Sequence, residues 1–366
     1  MANKKDNDFT PVVALPPGET IKENMIFLGM TQKELATRLD VTEKHLSNIL
    51  NGNAPITYDT ALKLEVTIGP SAEFWMNLET NYQLNKARIG KEKDFKEDLE
   101  ILKDIPYKLM SDYGWIDEEN DRKKRVTNLR EFFGVTKVSS IQQAYEVAFR
   151  QQKVINEISD FGVLAWLRKA EIEGRKVDVA EYNKSKLRKS IPRFRMLTTK
   201  QPEEFYPEMK ELCADIGIAL VLVNYIPKTY ICGATIWRNK KVILALSLRG
   251  KRVDVFWFTF FHEIAHLLNH SKKEFHISYD RDRDEIEADI LASNYLIPEN
   301  AYRTFINNHP SFRREDIEKY ALEIGVAPFI LIGRLQHDRL INYNDYNDMI
   351  PTLDIVMQYP MYIRVK

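Results

Sequence analysis

The chain has 366 residues, 53 Lys and Arg against 53 Asp and Glu, two cysteines and 44% hydrophobic residues. That length suits about two to three domains with sizeable cores, and zero formal net charge excludes a globally basic nucleic-acid coat and an acidic solvating tail. Two cysteines cannot build a disulfide framework, no apolar run approaches the roughly 18–20 residues of a membrane span, and the polar N-terminus does not read as a signal peptide. A soluble, cytoplasmic, multidomain protein with no membrane contact is expected.

The neutrality is uneven along the chain. Residues 1–84 carry 7 basic and 11 acidic side chains, residues 85–200 carry 26 and 19, and residues 201–366 carry 20 and 23. Positive charge is therefore concentrated in the middle.

The first 15 residues carry little pattern and read as a tail. From Pro16 to about Arg88, short amphipathic segments alternate with turn signals. Thr31 is placed as an N-cap with Glu34 three residues on, the capping-box spacing, and Leu35, Ala36 and Leu39 follow helical periodicity. After a break at Asp40-Val41, Thr42 caps a second helix, EKHLSNIL, which stops at Asn51-Gly52-Asn53. Two short helices joined in this way form the helix-turn-helix signature. Ser71-Ala72-Glu73-Phe74-Trp75 opens a further amphipathic helix.

Residues 89–200 read as mainly helical and charged. Arg122–Arg125 (RKKR) and Lys184–Arg195 (KSKLRKSIPRFR) are basic clusters, either solvated helix faces or contacts to phosphates or an acidic partner. After Gln201 the texture changes. Residues 219–224, 230–237 and 242–248 are apolar, β-branched runs that predict three strands of a small sheet. Helices are expected from about Val253 to Asn269, from Asp284 to Tyr295 and from about Arg314 to Leu335.

The strongest chemical signal is His262-Glu263-Ile264-Ala265-His266. On a helix, residues four apart share a face, so both imidazoles can reach one Zn²⁺, with Glu263 beside them as general base. A catalytic zinc wants a third protein ligand and one open position. At about 100° per residue, Glu285 and Asp289 lie within roughly 40° of each other on the next helix, on the side of Ala288, Leu291, Ala292 and Tyr295, while Glu287 points away. Glu285 is therefore the expected third ligand, with Glu287 the runner-up. Asp289 is placed to accept the free N–H of a ligand histidine. His270, one turn beyond His266, is a further ligand or, preferably, a supporting donor. His276, read as a loop residue, can do either job, and Tyr279 and Tyr295 are weaker oxyanion candidates. Cys213 and Cys232 read as buried small hydrophobes.

These residues carry a resemblance. The stretch GATIWRNKKVILALSLRGKRVDVFWFTFFHEIAHLLNH, then EIEADILASNYLIP, then YALEIGVAPFILIGRLQHDRLI, resembles the ImmA/IrrE family of zinc metallo-endopeptidases over about residues 201–345. By that resemblance His262, His266 and Glu285 are the metal ligands and Glu263 the general base. Pro16 to Leu84 resembles a HigA-type antitoxin, an Xre-like helix-turn-helix domain, with ILNG and SAEFW-x-NL as its specific segments. The expected DNA readers are Gln32, Lys44, His45 and Asn48. The usual Ser/Arg/Gln-rich recognition helix here reads Thr42-Glu43-Lys44-His45, and the acidic balance of residues 1–84 implies weak nonspecific affinity for DNA. This module alternatively serves mainly to dimerise or to bind a protein partner.

The expected organisation is a flexible tail (1–15), a helix-turn-helix DNA-binding domain (16–88), a basic helical middle region (89–200), a zinc peptidase domain (201–345) and a C-terminal extension (346–366). The expected fold class is a mostly α N-terminal bundle and helical middle region, plus an α+β zincin-like metallopeptidase domain with a small sheet. The resemblances imply a DNA-binding regulator or antitoxin with a zinc-dependent endopeptidase. Its partners would be an operator, a second copy of itself, and a protein substrate, cognate toxin or repressor, with self-cleavage among the options. The competing expectation is a non-enzymatic antitoxin or repressor whose zincin-like domain binds a partner or senses a signal.

Overall fold

The computed structural model describes residues 13–144, 160–269, 275–277, 283–356 and 362–365. The chain divides into two compact units, Met1–Glu100 and Ile101–Lys366.

The first unit holds α1 (Pro17–Leu28), α2 (Gln32–Arg38), α3 (Glu43–Leu50), α4 (Tyr58–Ile68) and most of α5 (Ala72–Ile101). The caps expected from the sequence form. Thr31 Oγ1 accepts from the Glu34 N–H at 3.2 Å and Thr42 Oγ1 from the His45 N–H at 3.1 Å, each satisfying a donor that a helix start otherwise strands. The Glu34 carboxylate accepts from Arg38 one turn on, at 2.7 Å. Leu35, Ala36, Leu46 and Ile49 bury the facing sides of α2 and α3 in one core with Trp75, so the angle between the two helices is set by packing. At the edge of this core the buried Glu79 carboxylate accepts from the Ile56 N–H at 3.0 Å and from Gln83 at 2.7 Å.

The second unit opens with α6 (Tyr107–Asp112), α7 (Arg122–Phe133), α8 (Ile141–Ala144), α9 (Asp160–Lys176), α10 (Lys184–Leu197) and α11 (Pro202–Ile216). Then come β1 (Ile218–Leu222), β2 (Gly233–Arg238), β3 (Lys241–Leu246), α12 (Val253–Asn269), β4 (Phe275–Ile277) and α13 (Arg283–Leu296). It closes with α14 (Glu299–Asn308), α15 (Arg314–Glu323), α16 (Pro328–His337), β5 (Leu353–Val356) and β6 (Tyr362–Val365). The fold class is the expected one, an α bundle and helical middle followed by an α+β part with a small sheet.

Four differences from the sequence reading have physical causes. The sheet has four strands in the order β1-β3-β2-β4, with β1 parallel to β3 and the other pairs antiparallel. β4, only 3 residues long, is too short to display the alternation that identifies a strand. The single helix expected from Arg314 to Leu335 is two, because Gly325 turns left-handed (φ 72°) and Pro328 starts α16 in its first turn, the usual C-terminal stop and N-terminal start.

From residue 101 onward the middle segment is part of the second unit. Leu187, Ile191, Phe194 and Leu197 of α10 belong to the same buried cluster as Trp257 and Phe260 of α12. The basic face of α10, with Lys184, Lys186, Arg188 and Lys189 exposed, is the outer side of an amphipathic helix. Finally, residues 346–356, expected within an extension, pack back onto the domain. The Leu353 N–H donates to the Lys251 carbonyl at 2.7 Å, the Val253 N–H donates to the Pro351 carbonyl at 3.1 Å, and Leu353 is fully buried.

The sheet is covered on both faces. Val242, Leu244 and Leu246 face the cluster that contains α12, while Ile243 on the opposite face meets Gly174 of α9, where a Cβ would come within 2.5 Å. Alternate side chains of β3 thus serve two helical layers. Among the described residues no helix is long and apolar enough to cross a membrane.

Candidate metal centre

α12 is held by its aromatic face. Phe256, Trp257, Phe260 and Phe261 are 3% exposed or less; Phe260 packs on Phe194 of α10, and Phe256 and Trp257 on Phe205 of α11. That packing fixes the rotation of the helix and therefore the direction of His262 and His266.

The two imidazoles converge on Glu285 of α13. His262 Nε2 and His266 Nε2 are 2.9 Å apart. Glu285 Oε2 is 3.0 Å from His262 Nε2 and its Oε1 is 3.2 Å from His266 Nε2. All three residues are buried, and their ligand atoms lie within 4.8 Å of one another. Asp289, one turn beyond Glu285, accepts from His262 Nδ1–H at 2.8 Å, which turns the lone pair of Nε2 toward the cluster. Glu287 is exposed.

Burial opposes a charge on His262, but its hydrogen bonds to Asp289 and Glu285 and the nearby Glu263 carboxylate outweigh burial and hold its pKa up at about 10. Two imidazole nitrogens and a carboxylate facing one point make a donor set that fits a zinc ion once both imidazoles are neutral. Two histidines and a glutamate are also the donor set of a catalytic zinc that keeps a position open.

Glu263 is fully buried beside the pair. Its room comes from Gly233 at the start of β2, where a Cβ would lie 2.8 Å from Glu263 Oε1 and 2.9 Å from Thr259 Cγ2. Gly233 escaped the sequence reading, although a glycine opening an apolar strand is a signal of close approach. His276 is on β4 opposite Thr235, not in a loop. The Tyr295 hydroxyl accepts from Asn269 at 3.2 Å and its carbonyl accepts from Arg195 at 2.8 Å. His270 and Tyr279 lie outside the described residues. Cys213 is buried on α11, and Cys232, half-buried, precedes β2 by one residue. Replacing Asp289 by Asn is expected to weaken zinc binding about 10–100-fold, read by chelator competition.

In the first unit, Gln32 Nε2 donates to the Glu43 carbonyl at 3.4 Å, which sets Gln32 at the start of α3. Lys44 and His45 are exposed on the first turn of α3 and Asn48 is half-buried one turn on. Gln32, Lys44 and His45 thus stand at the N-terminal end of a capped, well-packed helix, the end that reads base edges in this motif, with Asn48 one turn further along it.

Comparison with known proteins separates the same two parts. Residues 21–74 match the helix-turn-helix family model. An uncharacterized HTH-type transcriptional regulator, YddM of Escherichia coli, is 34% identical over 71 residues, 19% of this chain and 76% of that protein. The chain belongs to the helix-turn-helix regulators. Virulence-associated protein I of Dichelobacter nodosus is 34% identical over 22% of this chain and 74% of its own length. A solved HigA-family addiction module antidote protein from Coxiella burnetii is 35% identical, covering 23% of this chain and 94% of its own, with a TM-score of 0.22. Residues 230–335 of this helix-turn-helix protein match the peptidase M78 model, described as the IrrE N-terminal-like domain. That span contains His262, Glu263, His266, Glu285 and Asp289.

Proposed function

We propose that the chain is a DNA-binding regulator whose IrrE-like part is a zinc-dependent endopeptidase acting on a regulatory protein, a repressor or antitoxin, its own chain included. One observation carries this reading: His262, His266 and Glu285 meet in a buried cluster with Glu263 beside it. Zinc, when bound there, would polarise the scissile carbonyl and lower the pKa of water. The chain's own residues divide the rest. His262, His266 and Glu285 hold the ion, Asp289 holds His262 in the right tautomer, and Glu263 takes the proton from water and passes it to the leaving amine. β4 stands at the edge of the sheet, where backbone groups can pair with an extended peptide.

For the DNA half, Gln32, Lys44, His45 and Asn48 are the proposed readers. A homodimer belongs to the same proposal, because two recognition helices then meet two half-sites one turn of DNA apart. The mass of the chain by sedimentation checks it. Lys44→Ala and Asn48→Ala are each expected to weaken binding to the chain's own promoter by about 1–3 kcal/mol, measured by gel shift at fixed salt. No binding by the wild type at low salt sinks the DNA reading.

The peptidase reading is tested by metal analysis of the purified chain, followed by incubation with the products of neighbouring genes with and without a chelator. Chelator-sensitive cleavage is the expected result. Zinc bound with every partner left intact would instead favour a binding module that folds around its metal.

A further inference from the structure

One helical turn from His262, residues of α12, α13 and α16 line a cavity of about 220 Å³. Asp254, Val255 and Phe258 line it from α12, Ser293 and Leu296 from α13, and Ile330 from α16. Asp254, Phe258, His262 and His266 recur every four residues along α12, and Glu285, Asp289 and Ser293 do the same along α13. Residues at that spacing share a helix face, so the two faces that hold the cluster also hold the cavity. On α12 the cavity residues precede the histidines, and on α13 they follow Glu285, so the two helices run in opposite directions along one shared groove.

Distance links the two places. One turn advances about 6 Å, four residues at 1.5 Å each, so the cavity begins one turn from His262. An extended peptide advances about 3.3 Å per residue, and a side chain within two residues of a bond at the cluster reaches the cavity. Phe258 lines the cavity and also meets the cluster, its ring centroid 6.3 Å from that of His262 and 6.4 Å from that of His337.

The chemistry of the walls selects the occupant. Val255, Phe258, Leu296 and Ile330 are apolar, and the polar groups at the rim are engaged with one another. Asp254 accepts from Arg252 at 2.7 and 3.0 Å, and Arg252 donates to Gln336 at 2.6 Å beneath the Tyr343 ring. Arg334 is held by the carbonyls of Ser293 and Ile297 and by Glu299. An apolar cavity of about 150 Å³ already takes a benzene ring. We propose that this cavity is the specificity pocket of the peptidase site, admitting one large apolar side chain, Phe, Leu or Met, from a residue within two positions of the scissile bond. The proposal rests on the peptidase reading and names its substrate class.

The test has two arms on the full chain. In the first, N-acetyl-phenylalaninamide and N-acetyl-aspartamide are offered to metal-free protein in saturation-transfer NMR. The phenyl compound is expected to take up saturation and the aspartyl compound not. Val255→Trp and Ser293→Leu, which fill the cavity from opposite walls, are each expected to abolish the signal while thermal unfolding shows the fold retained. In the second arm, zinc-loaded protein acts on a randomised peptide mixture and the products are sequenced. Phe, Leu and Met are expected to be enriched about 10-fold or more at one position within two of the cut, and the preference to move to small residues in Val255→Trp. Cleavage without that enrichment, or enrichment unmoved by both variants, overturns the pocket and leaves the peptidase reading standing. An uncut mixture overturns the proposal through the peptidase reading, and the first arm then distinguishes that failure from a cavity that binds nothing.

Discussion

Replacing Glu263 by Gln is expected to lower peptide cleavage by about 10²–10⁴-fold while zinc content stays at the wild-type level. Gln keeps the length and volume of the side chain, so the close packing against Gly233 and Thr259 survives. It removes only the ability to take a proton from water and return it to the leaving amine. The residues proposed to hold the ion, His262, His266 and Glu285, do not change. The measurement is a cleavage rate together with metal content on the same sample. A second variant separates base from ligand, since His266→Ala is expected to lose zinc and cleavage together. If Glu263→Gln cleaved as fast as wild type, the assignment of Glu263 as the general base would be wrong.

The second large effect is on stability. Glu171 on α9 is 3% exposed and accepts from Arg168 at 2.9 Å, Arg175 at 2.7 Å and Arg238 of β2 at 2.8 Å. Arg168 also donates to the Phe132 carbonyl at 2.7 Å, so one carboxylate ties α9 to β2 and, through Arg168, to α7. Glu171→Gln leaves three guanidinium groups around an uncharged amide. Breaking a buried pair from one side costs about 3 kcal/mol, and a loss of that order is expected in urea unfolding followed at the second unit. The effect depends on pH. Burial alone would raise the Glu171 pKa, but the hydrogen bonds from Arg238 and Arg168 and the charge of Arg175 outweigh it and hold the group below the ordinary carboxylate range. A depressed folded-state pKa stabilises above the unfolded pKa, and the contribution is lost as pH falls through the folded one. The gap between wild type and Glu171→Gln is therefore expected to be full at neutral pH and to close in acid. A gap that stays constant into acid would show that the ion pairs contribute nothing.

Much of the site was legible because it is local. HEIAH places two imidazoles on one face by helical geometry alone, and the same geometry separates Glu285 and Asp289, which turn inward, from Glu287, which is exposed. Thr31 and Thr42 cap their helices for the same reason, since the bond partner is three residues away. What escaped was set by distant contacts. Gly233 is required by Glu263, 30 residues on, and β4 exists because β2 offers it an edge. Leu353 is core because it meets the start of α12, about 100 residues earlier in the chain.

The sequence by itself therefore determined the two kinds of module, the residue types of the candidate metal centre, their spacing and the helix phase that aims them. Those properties follow from periodicity and side-chain chemistry within about one or two helical turns. Only the tertiary structure decided that α12 and α13 lie against each other so that Glu285 reaches both histidines, and that α16 closes a cavity on the same groove. Packing of side chains far apart in sequence sets those distances, and no local pattern encodes them.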